Sequence, residues 1–175
     1  MSETSTVDGA TRLAIVQDHI GAENRHDLDA VMATFGAAAR YDDEPWDDHR
    51  QGRDGVRSYY SELMRALPDL EIDVIRHHLS DHSIVVEVMI RGTHRGAWRG
   101  LPGTHRRVEF PLCGVYTFDA DNRIAGERIY YDRATVLRQL GAFREPSSIG
   151  GRLAIALAHP ITIASAYLLR RSKSV

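Results

Sequence analysis

Apolar residues recur along the first part of the chain every three or four positions, a spacing that predicts helices packed through one face. Three segments show it, residues 11–24, 27–36 and 54–66. From Leu70 onward the spacing changes to two, which is typical of strands that bury one side. Helices followed by strands predict an α+β domain in which three N-terminal helices cover one face of an antiparallel sheet.

The strand half contains at least four strands separated by turn sequences. Polar or glycine-rich residues interrupt it at 81–82, 92–106 and 119–122. The last of these, DADN, is typical of a hairpin turn. A short helical pattern at 134–140, stopped by Gly141, follows the last strand. The sheet is therefore expected to end in a strand that runs directly into a short helix.

The last predicted strand ends in YYD, and strand alternation divides its residues between two faces. Arg128, Tyr130 and Asp132 lie on one side, and the intervening residues lie on the other. We assign the first side, with His94 from the end of an earlier strand, to a pocket between the sheet and the helices. A mainly apolar pocket with a few polar groups is the usual form of a small-molecule site.

Composition narrows the functional classes. The 175 residues are 43% hydrophobic, enough for one domain with a core and a small-ligand pocket. Cys113 is the single cysteine, which excludes an intrachain disulfide and a multi-cysteine zinc site and favours a reducing cytoplasm. Residues 146–175 hold four cationic and no acidic side chains, so the rest of this chain of net charge −2 carries −6. That distribution argues against a nucleic-acid partner.

We divide the chain into a flexible polar leader (1–10), a folded domain (11–145) and an apolar, basic C-terminal helical extension (146–175). The leader lacks the basic start and apolar run of a secretory signal. The extension contains an apolar stretch near the lower length limit for spanning a bilayer, interrupted by His159 and Pro160. Its placement stays open between packing on the protein's own body or a second subunit, weak membrane-surface contact through residues 150–175, and disorder.

Four stretches resemble the SnoaL-like branch of the nuclear transport factor 2 superfamily. They are HDLDAVMATF (26–35), GTHRGAWRGLPGT (92–104), DADNRIAGERIYYD (119–132) and LRQLG (137–141). The resemblance covers residues 11–143 and implies a cone-shaped fold, in which a curved antiparallel sheet wraps around three helices, usually as a homodimer. Polyketide ester cyclases of this branch close a ring by intramolecular aldol condensation without a cofactor, using an aspartate as acid and base.

Two residues of this chain match motif positions of the branch. Asp132 matches the acid/base aspartate, and His94 matches the histidine of the GTHxG motif, so these two are the predicted catalytic residues. The loop expected at the pocket mouth departs from the pattern, because it reads PGTH where relatives typically read P-x-T-G. Gly103 and His105 alter that loop, and the repeated GTHR sequence can bring His94 and His105 together.

Asp132 also has a possible role that needs no pocket, since it directly precedes the helical pattern at 134–140. There its carboxylate can accept hydrogen bonds from the free amides of the first turn. The two roles compete, because desolvation in an apolar pocket raises the pKa of an aspartate and strengthens it as a base, whereas bonds from helix amides lower that pKa. The direction of the carboxylate decides between them.

The predicted function is a cofactor-independent cyclase or isomerase that performs acid/base chemistry on an apolar carbonyl compound. Predicted substrate contacts are Tyr41, Tyr60, Trp98, Arg128 and Tyr130. No metal is predicted, because the acidic stretch at 41–50 lacks regular ligand spacing. The only lysine, Lys173, lies in the C-terminal extension, which argues against a Schiff base.

Two alternatives stay open. A limonene-type epoxide hydrolase needs an Asp-Arg-Asp relay around a water, for which the sequence offers Arg128 and Arg91 but no clear second buried aspartate. A non-catalytic ligand-binding protein needs only the apolar cone, and an Asp132 bonded to helix amides would favour it.

Overall fold

The computed structural model describes residues 3–165, with side chains from Gly9 onward. The basic residues predicted at the end of the extension, Arg170, Arg171 and Lys173, lie outside the described residues. The helices are α1 (Glu3–Asn24), α2 (Leu28–Thr34), α3 (Gly52–Ala66), α4 (Arg133–Gln139) and α5 (Ile149–Ala158), with a short 3-10 helix at Glu44–Trp46. Among the described residues, no helix is long and apolar enough to cross a membrane.

The strands form one six-stranded sheet in the order β2-β1-β6-β5-β4-β3. They are β1 (Phe35–Asp43), β2 (Asp48–Gln51), β3 (Glu71–Leu79), β4 (Ser83–Thr93), β5 (Arg107–Phe118) and β6 (Ile124–Tyr131). Neighbouring strands are antiparallel except β1 and β6, which run parallel. The predicted α+β class is confirmed, and the sheet is mixed where an antiparallel one was predicted.

The helical and strand periods of the sequence account for the core. In β4 every second residue from Ile84 to Gly92 is buried, and the residues between them are partly exposed. Helix α1 contributes Val16 and Ile20 to the same core, and neither is more than 4% exposed. Alternation on the strand and a spacing of four on the helix therefore point the apolar side chains into one layer between sheet and helices.

Two element boundaries differ from the prediction. Helix α1 begins at Glu3, within the residues predicted to be a flexible leader. Helix α2 ends at Thr34, because Phe35 adopts extended backbone angles (φ −80°, ψ 143°) and begins β1. The side chain of Phe35 is 1% exposed, so the apolar spacing that assigned it to a helix instead reflects a buried strand start.

Candidate active site

An apolar cavity lies between the sheet and helices α1 and α3. The volume inside it that is open to the centre of a water-sized sphere is about 50 Å³. Most of its wall is aliphatic or aromatic. The polar groups on the wall belong to two glutamates and four tyrosines: Glu23, Glu127, Tyr41, Tyr59, Tyr116 and Tyr131. The cavity has the composition expected of a small-molecule site.

Strand β6 alternates as predicted, but the side that faces the cavity is the opposite one. Glu127, Ile129 and Tyr131 line the cavity. Tyr130 is 45% exposed, and the side chain of Arg128 is exposed to the same degree. Ile129 is 3% exposed and packs in the core. Because side chains alternate along a strand, Glu127 and Tyr131, two positions away on either side, face inward with it. The assignment of Arg128 and Tyr130 to the pocket is wrong.

Asp132 is exposed and caps helix α4. Its Oδ1 accepts a hydrogen bond from the Ala134 amide at 2.9 Å, and its Oδ2 accepts one from the Thr135 hydroxyl at 2.5 Å. The bond from Thr135 is the main cause of a pKa below the ordinary aspartate value, and the amides add to it. Of the two roles open to this residue, the structure supports the cap, because a base in an apolar pocket needs the opposite shift.

His94 is fully buried but does not line the cavity. Its Nδ1 lies 3.1 Å from the Thr104 hydroxyl, and its ring meets the Trp98 ring edge-on at 6.3 Å. Burial lowers its pKa, and the nearby His105 adds to the shift. The two histidines are neighbours, since the His105 amide donates to the His94 carbonyl at 2.8 Å. His94 therefore helps to hold together the loop predicted at the pocket mouth.

The other three aromatic residues predicted to contact substrate, besides Tyr130, divide into two groups. Tyr41 and Trp98 line the cavity, whereas Tyr60 is not part of its wall. The Tyr41 ring stacks on Tyr59 at 3.9 Å and meets Tyr60 edge-on at 5.4 Å. Tyr60 thus supports the aromatic wall from behind.

A first polar group on the wall, the His19 cluster, consists of His19, Glu23, Tyr60, Tyr116 and Glu127. His19 Nε2 lies 3.3 Å from Glu127 Oε2 and 3.6 Å from Glu23 Oε2. Tyr60 donates to Glu127 Oε2 at 2.5 Å, and Tyr116 donates to its Oε1 at 3.1 Å. All five side chains are buried, and both carboxyl groups face the cavity. Two glutamates thus share one imidazole at the cavity wall.

Burial and charge act in opposite directions on the two titrating members of this cluster. Burial raises the pKa of Glu23 to about 8, although the nearby His19 opposes the shift. For His19, burial disfavours the charged form, but Glu23 and Glu127 outweigh it and raise the pKa. The pKa values of Glu23 and His19 are both raised, and the charge of each group depends on that of the other. The cluster therefore contains two coupled groups that can exchange a proton.

A second polar group, the Arg99 cluster, consists of Asp43, Asp48, Arg99, Tyr59 and Tyr131. The Arg99 guanidinium bonds Asp48 through Nη1 and Asp43 through Nη2, the latter at 2.5 Å. Asp43 Oδ2 also accepts from Tyr59 at 3.1 Å and from Tyr131 at 3.4 Å, and both tyrosines line the cavity. Within the described part of the chain, Asp43 Oδ1 and Arg99 Nε are buried without a hydrogen-bond partner.

The loop that carries Arg99 is a two-residue turn. Trp98 and Leu101 exchange both backbone hydrogen bonds at 2.9 Å, and Arg99 (φ 52°) and Gly100 (φ 78°) are both left-handed. Such a pair is the mark of a tight hairpin turn, which glycine makes possible at its second position. The turn aims the guanidinium at β1 and β2, where Asp43 and Asp48 lie.

The two aspartates of this cluster differ in environment. Burial raises the pKa of Asp43, and Arg99 and the tyrosine hydroxyls offset only part of that shift. Asp48 is less buried; burial opposes its charge, but hydrogen bonds from Arg50 and Arg99 outweigh this and lower its pKa. The Arg99 cluster thus joins one carboxylate of low pKa to one of raised pKa through a permanent cation.

One described group has the side-chain types of a metal site, formed by Asp42, Glu44 and His49, whose ligand atoms lie within 4.8 Å of one another. Asp42 is already paired with Arg40 at 2.8 Å and with Arg128 at 3.4 Å. These arginines would repel a bound cation, so the group is better explained as an ion-pair network.

Of the residues that form these clusters, only Tyr60 was predicted as a site residue, and four of the others show which signals the sequence held. His19 and Glu23 follow Val16 and Ile20 on the buried face of α1, and a charged pair on an apolar helical face is a readable signal. Asp43 shares the strand parity of Tyr41, which was itself predicted to line the pocket. Arg99 gave no signal, because the sequence does not reveal where its turn points.

A model of the SnoaL-like polyketide cyclase family matches residues 14–140 of the chain. The chain belongs to this family. The resemblance predicted from its sequence motifs is thereby confirmed. No curated protein matches this SnoaL-like chain at significant similarity.

Several solved structures share the fold. AclR from Streptomyces galilaeus, a proposed hydroxylase, is 20% identical, with 78% of this chain and 99% of AclR covered and a TM-score of 0.68. A proposed SnoaL-like polyketide cyclase from Jannaschia sp. CCS1 is 18% identical, covers 79% of this chain and 94% of its own, and has a TM-score of 0.67. SalBIII, an epoxide hydrolase/cyclase-like enzyme of pyran ring formation in salinomycin, is 22% identical, with 71% of this chain and 92% of SalBIII covered and a TM-score of 0.61. At this level of identity these neighbours establish the fold of the SnoaL-like chain.

Proposed function

We propose that the chain is a cofactor-independent cyclase or isomerase in which Glu23 exchanges a proton with an apolar carbonyl compound bound in the cavity. One observation carries the proposal. Glu23 lies on the wall of an apolar cavity, and its pKa is raised to about 8 by burial. An acid/base catalyst works best when its pKa lies near the operating pH, because both of its protonation states are then available.

The proposed reaction begins with the deprotonated form of Glu23. Its carboxylate takes a proton from the carbon next to the substrate carbonyl, and the electron pair of that C–H bond forms an enolate. In an isomerisation, the proton returns to another carbon of the same conjugated system. In a cyclisation, the enolate carbon attacks a second carbonyl of the substrate, and the alkoxide formed takes the proton back from Glu23. Neither route consumes an external reactant.

The enolate oxygen needs a hydrogen-bond donor. Tyr41 is the proposed donor, since its ring is 3% exposed on the cavity wall and burial raises its pKa well above the ordinary value, so its hydroxyl keeps its proton. A donor placed where negative charge develops stabilises the transition state more than the ground state. The wall of apolar side chains supports an apolar substrate.

His19 and Glu127 are positioning residues in this proposal. His19 Nδ1 lies 2.8 Å from the Thr34 hydroxyl, which itself donates to the Val31 carbonyl, so Nδ1 is the donor in the first bond. This fixes the ring so that Nε2 points at Glu23 and Glu127. The imidazole can then stabilise the carboxylate that forms when Glu23 releases its proton.

Deuterium exchange tests the proposal without knowledge of the natural substrate. Apolar ketones of increasing size are incubated with the protein in D₂O, and deuterium incorporation next to the carbonyl is followed by NMR. Glu23→Gln keeps the shape of the side chain but cannot accept the proton, so the exchange rate should fall by about 10²–10⁴-fold. Asp132→Asn is the matched control and should exchange at the wild-type rate. Equal rates for wild type and Glu23→Gln would overturn the proposal.

A second candidate function is favoured by the Arg99 cluster, which has the Asp-Arg-Asp composition that an epoxide hydrolase of the limonene type requires. Asp43 Oδ1 is a buried acceptor and Arg99 Nε a buried donor, each without a partner among the described residues. We propose that these two atoms orient a water for attack on an epoxide carbon. Asp43, whose pKa burial raises, would take the proton of that water as the epoxide C–O bond breaks, and would then give it to the alkoxide to complete the diol.

Hydration of apolar epoxides in heavy-oxygen water tests this second candidate. One heavy oxygen atom should enter each diol formed, and Asp43→Asn should abolish the reaction while Glu23→Gln retains it. The reverse pattern, with diol formation dependent on Glu23, would exclude the Arg99 cluster as the hydrolytic centre.

A further inference from the structure

Helix α5 presents large apolar side chains to solvent. Ile149, Leu153 and Leu157 are 80%, 61% and 83% exposed, and Ile161, in the helical segment that resumes at residue 160 after α5, is 81% exposed. They are spaced four residues apart, so those on the helix share one side. A helix that faces water rarely exposes several large aliphatic side chains on one side. A patch of this kind is typical of an interaction surface.

The rest of the described chain does little to cover this helix. Gly151 is its only buried residue, and the alanines between the large residues are exposed as well. A helix of 10 residues is marginal in water without packing. A partner that covers the apolar side chains would therefore stabilise α5 as well as hide its apolar surface.

The charges of this region indicate what the partner is. From residue 146 to residue 175 the sequence contains four cationic side chains, one of them Arg152 on α5, and no acidic ones. A second copy of the same helix would bring like charges together at the interface, which is unfavourable. An anionic phospholipid surface instead compensates the cations and accepts the apolar side chains.

We propose that residues 149–161 dock on the surface of an anionic phospholipid bilayer. The docked segment lies in the interface, because α5 ends at Ala158, before His159 and Pro160, and is too short to span the hydrocarbon layer. The exposed leucines and isoleucines enter the boundary between headgroups and acyl chains, and the Arg152 side chain stays at the headgroups. This property is independent of the proposed acid/base function.

Vesicle flotation of the full chain tests the proposal. The protein is mixed with vesicles of phosphatidylcholine alone, or of equal parts phosphatidylcholine and phosphatidylglycerol, and the floated fraction is measured. It should float with the anionic vesicles, remain unbound with the neutral ones, and dissociate as the salt concentration rises. The double variant Leu153→Asp, Leu157→Asp should lower the vesicle partition coefficient by at least about tenfold, because it removes two apolar side chains and adds two negative charges.

A matched control makes the same chemical change elsewhere. Ile75→Asp, Leu79→Asp replaces two residues that are 57% and 52% exposed on β3, and it should float as the wild type does. Glu23→Gln should also float normally, which separates membrane docking from the proposed chemistry. If the wild type stays unbound with anionic vesicles, or if sedimentation shows that it forms a dimer dispersed by the Leu153/Leu157 variant, the bilayer is not the partner of α5.

Discussion

The His19 cluster and the Arg99 cluster each join two carboxyl groups to one basic side chain. Both glutamates of the first cluster line the cavity, whereas the second cluster reaches it through Tyr59 and Tyr131, which bond Asp43. The two clusters also differ in the basic side chain that the carboxyls share. In the His19 cluster it is an imidazole, whose pKa the neighbouring glutamates raise against the opposing effect of burial and whose charge depends on pH. In the Arg99 cluster, it is a guanidinium that keeps its charge at any physiological pH. The identity of one residue therefore separates a site that can exchange protons from one that stays charged.

The pKa values follow this difference. Burial raises the pKa of both Glu23 and Asp43, but Asp43 also has Arg99 and two tyrosine hydroxyls as partners that favour its charged form. For Glu23 the favourable partner is His19, whose own charge depends on pH. This difference is the reason why Glu23 is the proposed base of the first function and the Arg99 cluster the proposed water site of the second. Removing the cation of the Arg99 cluster should lower the free energy of unfolding, whereas removing the Glu23 carboxyl from the His19 cluster should change how that free energy depends on pH.

The largest effect is expected from Arg99→Met, which keeps an unbranched apolar stem and removes the guanidinium group with its charge. Asp43 is fully buried and would lose Arg99, its ion-pair partner among the described residues. Removing one partner of a buried ion pair costs about 3–5 kcal/mol, so the free energy of unfolding at neutral pH should fall by that amount. Urea denaturation measures it. The loss should shrink at acid pH, because a protonated Asp43 needs no cation.

Arg91→Met is the matched control, since Arg91 pairs with Asp73 and Glu109 on an exposed part of the sheet. Exposed ion pairs contribute about 0–1 kcal/mol, and this variant should lose no more than that. If the two variants lose equal stability, the Arg99 cluster is not the buried charge network described above.

Glu23→Gln should change how stability depends on pH. The pKa of Glu23 is about 8 in the folded chain against an ordinary value of 4.5, so the folded state keeps a proton that the unfolded state has released. The stabilisation is therefore complete below 4.5 and is lost as the pH rises to about 8. Its slope is at most about 1.4 kcal/mol per pH unit. The variant should flatten the curve of unfolding free energy across this window.

Denaturation series at successive pH values from 4 to 9 would measure that curve. Glu109→Gln, a change of the same kind in a side chain that is 58% exposed, is the control. A wild-type curve that is already flat across the window would mean that Glu23 is not held protonated by its environment, and the acid/base proposal would lose its main support.

A smaller effect is expected where the sequence predicted the catalytic base. Asp132→Ala should lower the free energy of unfolding by about 1 kcal/mol, the usual value of a helix cap, and leave deuterium exchange unchanged. Asp27→Ala provides the comparison, since Asp27 caps α2 by accepting the Ala30 amide at 3.0 Å and is remote from the motif that Asp132 matches. A large loss of exchange activity in folded Asp132→Ala would restore Asp132 as a catalytic residue.

The fold was predictable because its causes are local. The strict alternation of β4, the DADN turn before Arg123 and the glycine after α4 each act over a few residues. The Asp119 amide donates to the Arg123 carbonyl at 2.9 Å, as the predicted hairpin requires. The spacing of apolar residues and the turn residues thus predict the order of helices and strands, and the family motifs agree with that order.

The site was not predictable in the same way because its contacts join distant residues. Asp43 and Arg99 are 56 positions apart, and Tyr60 and Glu127 are 67 apart. On β6, Glu127 with Tyr131 and Arg128 with Tyr130 are equally polar pairs, so alternation defines two faces without saying which is inward. Of these residues, only the aliphatic Ile129 indicated which face is inward. The motif match to Asp132 favoured the opposite face, and the prediction followed the motif.

The smallest effect is expected from Arg128→Gln, on the outward side of β6. Arg128 is 3.4 Å from Asp42 and 3.1 Å from Glu44, but Arg40 and His49 each remain 2.8 Å from Asp42. Since Arg40 and His49 still pair with Asp42, the variant leaves that carboxylate stabilised. The free energy of unfolding should change by no more than about 0.5 kcal/mol.

Urea denaturation at several protein concentrations would check this prediction and test the predicted homodimer as well. The 45% exposure of Arg128 belongs to the single chain, and a second subunit on the outer face of β6 would bury the residue further. In that case Arg128→Gln would cost more than about 2 kcal/mol, and the loss would depend on concentration, because dimerisation stabilises a fold by mass action. A small change in the free energy of unfolding that does not depend on protein concentration would instead mean that the outward side of β6 faces water in solution.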